Sequence, residues 1–177
     1  ILKGEGMELI GFDRSNAAPT SRYVRAGGNW GGFFVMSRQT YERIGGWVDH
    51  AFWGYNDPSL ILKAWLCGVD TICDTQALYF HKHKSKAKGG FGYPVKAVEP
   101  LLNVLPTYAT VFEPETLNRF LGLFEKHHRW MMKRGREWIE RAETQAERAR
   151  FQSLRTRPDA AFFEEFLPKQ GFNLEVW

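Results

Sequence analysis

The sharpest constraint on the fold is a change of period near Pro114. From there Leu117, Phe120, Leu121, Phe124, His128, Met131 and Trp138 recur at helical spacing with charges between them, the pattern of a helix that buries one face. The spacing predicts one long amphipathic helix, or two broken near Gly135, then a last short helix from Asp159 to Phe166 that follows Pro158 and stops before Pro168. Upstream, apolar residues come instead in short runs closed by glycine. Gly31-Gly32-Phe33-Phe34-Val35-Met36 suits a buried strand, Ser37 an N-cap, and Gly45-Gly46 the stop of a helix that runs to about Ile44. Asp57-Pro58 opens a second helix, proline fitting the first turn, and Gly68 ends it. Thr71-Ile72-Cys73 and Ala77-Leu78-Tyr79-Phe80 read as short strands. Residues 1–30 read mostly as loop, with one short strand near Glu8 to Phe12. The expectation is an α/β part over residues 1–110 followed by a helical extension over 111–177.

Composition narrows the classes. At 44% apolar and 25% charged residues the chain is too hydrophobic for a disordered tail. It also lacks the ~20 consecutive apolar residues of a membrane span. The segment from Glu113 to Arg157 holds eleven basic and seven acidic residues, the whole of the net charge of +4. Such a bias is compatible with phosphate-bearing partners or an acidic surface, although a solvated helix face is its commoner meaning. Arg129, Lys133, Arg134 and Arg136 are interleaved with Glu137, Glu140, Glu143 and Glu147, which reads as an intramolecular i, i+4 charge lattice rather than a nucleic-acid surface. Cys67 and Cys73 are no disulfide framework; they read as two reduced thiols flanking a turn, with a single bridge as the alternative. No hydrophobic presequence is visible, so location stays open, with the cytoplasm as the default expectation.

Three pieces between Gly31 and His81 bear chemistry. The Gly31-Gly32 pair enters an apolar run, where a missing Cβ lets backbone approach a ligand or simply allows a tight turn. Trp53-Gly54-Tyr55-Asn56-Asp57 delivers a carboxylate on an aromatic loop to a helix start. Aromatic faces stack on sugars and bases, and a carboxylate beside them can act as a general base toward a hydroxyl; Asp57 before Pro58 also has the look of an ordinary N-cap. His81 and His83 follow an apolar run with strand spacing, so both imidazoles could face one ligand or metal. The lysines from Lys82 to Lys88, with no acid between Thr75 and Val98, suit a diphosphate or plain solvent exposure.

In order, Gly31-Gly32-Phe33-Phe34-Val35-Met36-Ser37-Arg38, Tyr41-Glu42-Arg43-Ile44-Gly45, Trp53-Gly54, Ala64-Trp65-Leu66-Cys67-Gly68 and His81 resemble the second half of a GT-A glycosyltransferase domain. The closest likeness is to the polypeptide N-acetylgalactosaminyltransferases, whose pattern runs GGLFAI, a helix, WGGEN, WQCGG and a histidine. The β-1,4-galactosyltransferases share the layout with WGGEDD. The likeness covers about residues 26–85.

The resemblance implies a Rossmann-like fold of which this chain is the acceptor-side half. It also implies a hexosyltransferase that moves a sugar from a nucleotide diphosphate, a UDP-sugar first among them, to a hydroxyl of a glycan or protein. His81 sits where the family places a ligand of the Mn²⁺ (or Mg²⁺) that bridges the donor diphosphate. Asp57 sits at the galactosyltransferase base, and Asn56 where both groups have glutamate. Gly31, Gly32, Trp53, Gly54, Lys82 and Lys84 are the implied donor-binding set: Gly31 and Gly32 fall in the loop lining the donor sugar, Trp53 in the loop that also lies beneath the acceptor, and Lys82 and Lys84 in the loop that closes over the nucleotide. If Asp57 is the base, displacement is direct and the anomeric configuration inverts. The family's Asp-x-Asp or Asp-x-His does not occur here, which implies that the donor half lies on another stretch of polypeptide or a partner chain. The rival expectation is a catalytically degenerate domain retained as a binding or assembly module.

Overall fold

The computed structural model describes residues 21–25, 34–48, 55–74, 76 and 99–166. Helix dominates them. In chain order they form β1 (Tyr23–Arg25), α1 (Arg38–Arg43), α2 (Asn56–Leu66), β2 (Ile72–Asp74), α3 (Glu99–Val111), α4 (Pro114–His127), α5 (Arg129–Ile139), α6 (Ala142–Leu154) and α7 (Asp159–Phe166). The strands pair antiparallel as a two-stranded ribbon, with Tyr23 opposite Asp74 and Arg25 opposite Ile72. Among the described residues the α/β expectation thus reduces to a mostly helical body with a small antiparallel sheet. The strands expected near Glu8 to Phe12 and at Ala77 to Phe80 lie outside the described residues. Phe34–Met36, expected to be buried strand, is irregular instead, with Val35 79% exposed. A short apolar run carries no period to tell a strand from an approach to a helix cap. Here it leads into Ser37, whose hydroxyl accepts from the Thr40 N–H at 3.0 Å.

α1 ends as the sequence indicates. Gly45 and Gly46 take φ of 74° and 67°, a left-handed reversal that glycine adopts without steric cost. Gly68, at φ 76°, turns the chain after α2 in the same way.

The core is built around α2 and α3. Every residue of α2 from Ser59 to Leu66 is buried, and so is every residue from Leu102 to Phe112 in and just after α3. A helix buried all round has no stripe to betray it, and Pro106 inside α3 further masks it, so no helix is expected there from sequence. Phe112 and Phe120 stack at 5.1 Å, Tyr108 meets Phe120 at 4.4 Å, and Trp65 meets Phe162 edge-on at 5.5 Å. One apolar cluster runs from Ile44 to Phe166 and is continuous across position 110. No helix among the described residues is long and apolar enough to cross a membrane.

The helical break expected near Gly135 falls at His128 instead. His128 leaves helical geometry with φ −138°, and its N–H still reaches the Phe124 carbonyl at 2.7 Å. Gly135 lies inside α5 and is buried because a Cβ there would collide with the Leu105 side chain of α3.

α6 carries little apolar pattern and holds its neighbours through polar side chains. Arg148 donates to the carbonyls of Ala109 and, at 2.9 Å, Phe112. The Gln152 amide donates to the carbonyls of Thr110 at 3.0 Å and Val111 at 3.2 Å. Arg155 reaches the Val111 carbonyl at 3.0 Å and Asp159 at 2.7 Å. These are the carbonyls that the end of α3 leaves without intrahelical partners. The charges read as an i, i+4 lattice are therefore put partly to another use: Glu147 reaches Lys63 of α2, not a residue of its own helix. Lys63 is fully buried; its ammonium donates to Glu147 Oε1 and to the Gly45 carbonyl, both at 3.3 Å, and lies 5.2 Å from the Phe151 ring. Burial pushes its pKa down, and the Glu147 carboxylate opposes that shift.

Two stability predictions follow from this packing. Gly135→Ala forces Leu105 aside and should destabilise the fold by ~1–3 kcal/mol despite alanine's better helix propensity, as read by calorimetric melting. Lys63→Ala leaves a void and strips Glu147 of a partner, with an expected cost of ~3–5 kcal/mol. Lys63→Met combined with Glu147→Leu removes both charges, keeps the volume and leaves Arg150 on the Gly45 carbonyl, so denaturant unfolding should show a loss under about 1.5 kcal/mol.

Candidate active site

Of the residues singled out by sequence, Asn56 and Asp57 fall in the described structure. Gly31, Gly32, Trp53, Gly54, His81, Lys82 and Lys84 lie outside the described residues. The site is therefore built from the start of α2 upward.

α2 begins one residue earlier than Asp57-Pro58 suggests. Asn56 is its first residue and Tyr55 its cap position, and the Tyr55 side chain makes no capping bond. The N-cap alternative for Asp57 is thereby removed: its carboxylate sits in the first turn and accepts from its own backbone N–H. The turn is fixed by other atoms. The Ser59 N–H donates to the Tyr55 carbonyl at 3.2 Å, and the Ser59 hydroxyl to the Asn56 carbonyl at 2.7 Å. Asn56 is exposed and Asp57 partly buried. Burial pushes the Asp57 carboxyl above the usual carboxylate range, with the local N–H bond opposing it. A half-desolvated carboxylate in a rigid helical turn is a stronger proton acceptor than a solvated one.

Sequence reading missed Tyr55. It is the one non-glycine residue with positive φ among the described residues, at φ 66° and ψ 7°. For an aromatic residue this region costs on the order of 1–3 kcal/mol and persists where the surroundings over-determine it. Those surroundings are the bundle core. The Tyr55 hydroxyl donates to the Tyr108 hydroxyl at 3.1 Å, and the rings meet edge-on with centroids 6.1 Å apart. Burial raises the Tyr55 phenol well above its ordinary pKa, so it stays protonated as a donor. The signal available in sequence was a bulky residue directly after Gly54, which alone does not distinguish a strained turn from an ordinary loop.

Among the described residues, hollows lie elsewhere than at this turn. One, of about 430 Å³, is lined by Arg25, Trp65, Arg157, Ala161, Glu164 and Glu165; another, of about 400 Å³, by Trp138, Arg141, Glu143, Thr144 and Glu147. Neither includes Asn56 or Asp57. Among the described residues no group of three or more histidine, cysteine, aspartate or glutamate side chains could hold a metal ion.

The raised Asp57 pKa carries a sign for stability. Between the ordinary value of ~3.9 and the raised folded value, the native state keeps a proton that the unfolded chain has lost, so stability falls as pH rises through that window. Asp57→Asn removes this penalty. Its melting temperature should equal or exceed that of the parent at pH 7, with the two curves converging by about pH 3.

No protein-family model, no curated protein and no solved structure matches this chain.

Proposed function

We propose that the chain is the acceptor-side segment of a nucleotide-sugar glycosyltransferase of GT-A type, with Asp57 as the base that deprotonates the acceptor hydroxyl. The observation that carries this reading is the backbone at Tyr55. In the motif WGGEN this position, directly after Trp53-Gly54, belongs to a glycine, and here it adopts a conformation glycine favours, at φ 66°. A turn of that kind ahead of a helix with a partly buried carboxylate in its first turn suits the delivery of an acid to a substrate.

In this reading Asp57 takes the proton from the acceptor hydroxyl as its oxygen attacks the anomeric carbon. The diphosphate leaves from the opposite face, and configuration inverts. Gly31 and Gly32 line the donor sugar, and Trp53 and Gly54 support the acceptor. Lys82 and Lys84 donate to the departing phosphates. His81 would be one ligand of Mn²⁺ or Mg²⁺, the rest coming from a donor half that carries the acidic motif; when bound, such an ion neutralises charge on the diphosphate. The acceptor is a glycan or protein hydroxyl, and the donor a UDP-sugar.

One observation favours a second reading. Asn56 occupies the place of a sugar-holding glutamate, and it is exposed. A domain that had lost that carboxylate could persist as a binding or assembly module. Calorimetry with a uridine nucleotide and Mn²⁺, the donor half being supplied, separates the two: binding supports the transferase, and its absence supports the module.

Removal of a general base costs ~10²–10⁴ in rate. Asp57→Asn should therefore lower sugar transfer by that factor without lowering the melting temperature, and unchanged turnover would dispose of the assignment. His81→Ala should abolish the dependence of the rate on Mn²⁺.

A further inference from the structure

We infer that Tyr55 and Tyr108 form a clamp by which the core of the helical bundle positions the reactive end of α2. The inference rests on the reading of Asp57 as the acceptor base and extends it to residues that no motif of the family supplies.

The clamp has a fixed and a strained side. Tyr108 lies on α3 and is 1% exposed, wedged against Phe112 at 5.0 Å, Phe120 at 4.4 Å and Phe124 at 6.5 Å. Its ring and hydroxyl cannot shift without opening the core. Tyr55 holds a left-handed backbone that an aromatic residue rarely adopts, two positions before Asp57. Its hydroxyl donates to Tyr108 across 53 residues of chain, and its ring leans on the Tyr108 ring. Without that anchor the φ of Tyr55 would relax to an ordinary negative value, and the chain would enter α2 from another direction. The Ser59 N–H bond to the Tyr55 carbonyl would go with it. Tyr55 is thus a positioning residue that acts on Asp57 through the backbone. The helical bundle becomes part of the site's machinery, because Tyr108 shares its core with α4.

The test uses Tyr108→Phe, Tyr55→Phe, the double variant and Tyr55→Gly, assayed with a UDP-sugar and Mn²⁺ in the presence of the donor half. A carbon-13 titration of the Asp57 carboxyl runs alongside and needs no activity. The clamp predicts that each Phe variant lowers kcat ~10–100-fold with acceptor KM held within about twofold, and that the double variant is no worse than either single one. It predicts that the Asp57 titration midpoint moves toward that of a solvated carboxylate. Tyr55→Gly should stay impaired although its backbone is free to adopt the same φ. Unchanged kcat and an unchanged Asp57 midpoint, with only the melting temperature lowered, would overturn the clamp and leave the pair a packing contact. A Tyr55→Gly variant with parental rate would overturn it as well. A parent protein that transfers no sugar sinks the transferase reading, and the clamp is then decided by the titration alone.

Discussion

The carbonyl of Gly45 accepts from two cations, the buried Lys63 and the exposed Arg150, and the arrangement of the molecule depends on that junction. Lys63 reaches it from α2 at 3.3 Å and Arg150 from α6 at 2.7 Å. A carbonyl at a helix end carries partial negative charge and has no intrahelical donor, so it attracts such groups. One oxygen thereby ties the turn after α1, the middle of α2 and the face of α6 together. A buried ion pair such as Lys63 with Glu147 adds little net stability, but losing one partner is expensive, so the pair enforces one docking of α6. From the same helix Arg148 and Gln152, with Arg155 just past its end, satisfy the end of α3.

The consequence for chemistry is rigidity. α2 is enclosed from Ser59 to Leu66, and its C-terminal carbonyl at Leu66 accepts the N–H groups of Thr156 at 2.8 Å and Arg157 at 3.0 Å. What remains outside is the first turn, with Asn56 exposed and Asp57 partly so. A group on the free end of an immobilised helix is held more closely than one on a loop. The strained residue before it is tolerated because Tyr108 already belongs to a packed aromatic cluster. The turn into α2 and the helices that follow are thus joined through Tyr55 and Tyr108.

Much of this was legible in sequence where the signal is local. Ser37 caps, Gly45, Gly46 and Gly68 reverse the chain, and α7 spans Asp159 to Phe166 as Pro158 and Pro168 mark it. What depended on distant partners was not legible. β1 is three residues with no apolar alternation, and it is a strand because Asp74 and Ile72 lie beside it. α3 hides its period by being buried on all sides. Gly135 looks like a breaker, yet it is a close crossing with Leu105. α6 looks like a solvated charge lattice, yet it caps α3. At the proposed site, sequence singles out Asp57 by its place in an aromatic motif but not what holds its turn: Tyr55 owes its posture to a residue 53 positions away.

The proposed transferase reading requires that the open end of α2 and His81, its proposed metal ligand, share one cleft. Mn²⁺ is paramagnetic, and it broadens nearby nuclear resonances steeply with distance. With UDP and Mn²⁺ added to the chain and its donor half, the account predicts that the amide signals of Asn56 and Asp57 broaden and recover when His81 is changed to alanine, while those of α5 stay sharp. Sharp Asn56 and Asp57 signals at saturating metal and nucleotide would contradict it.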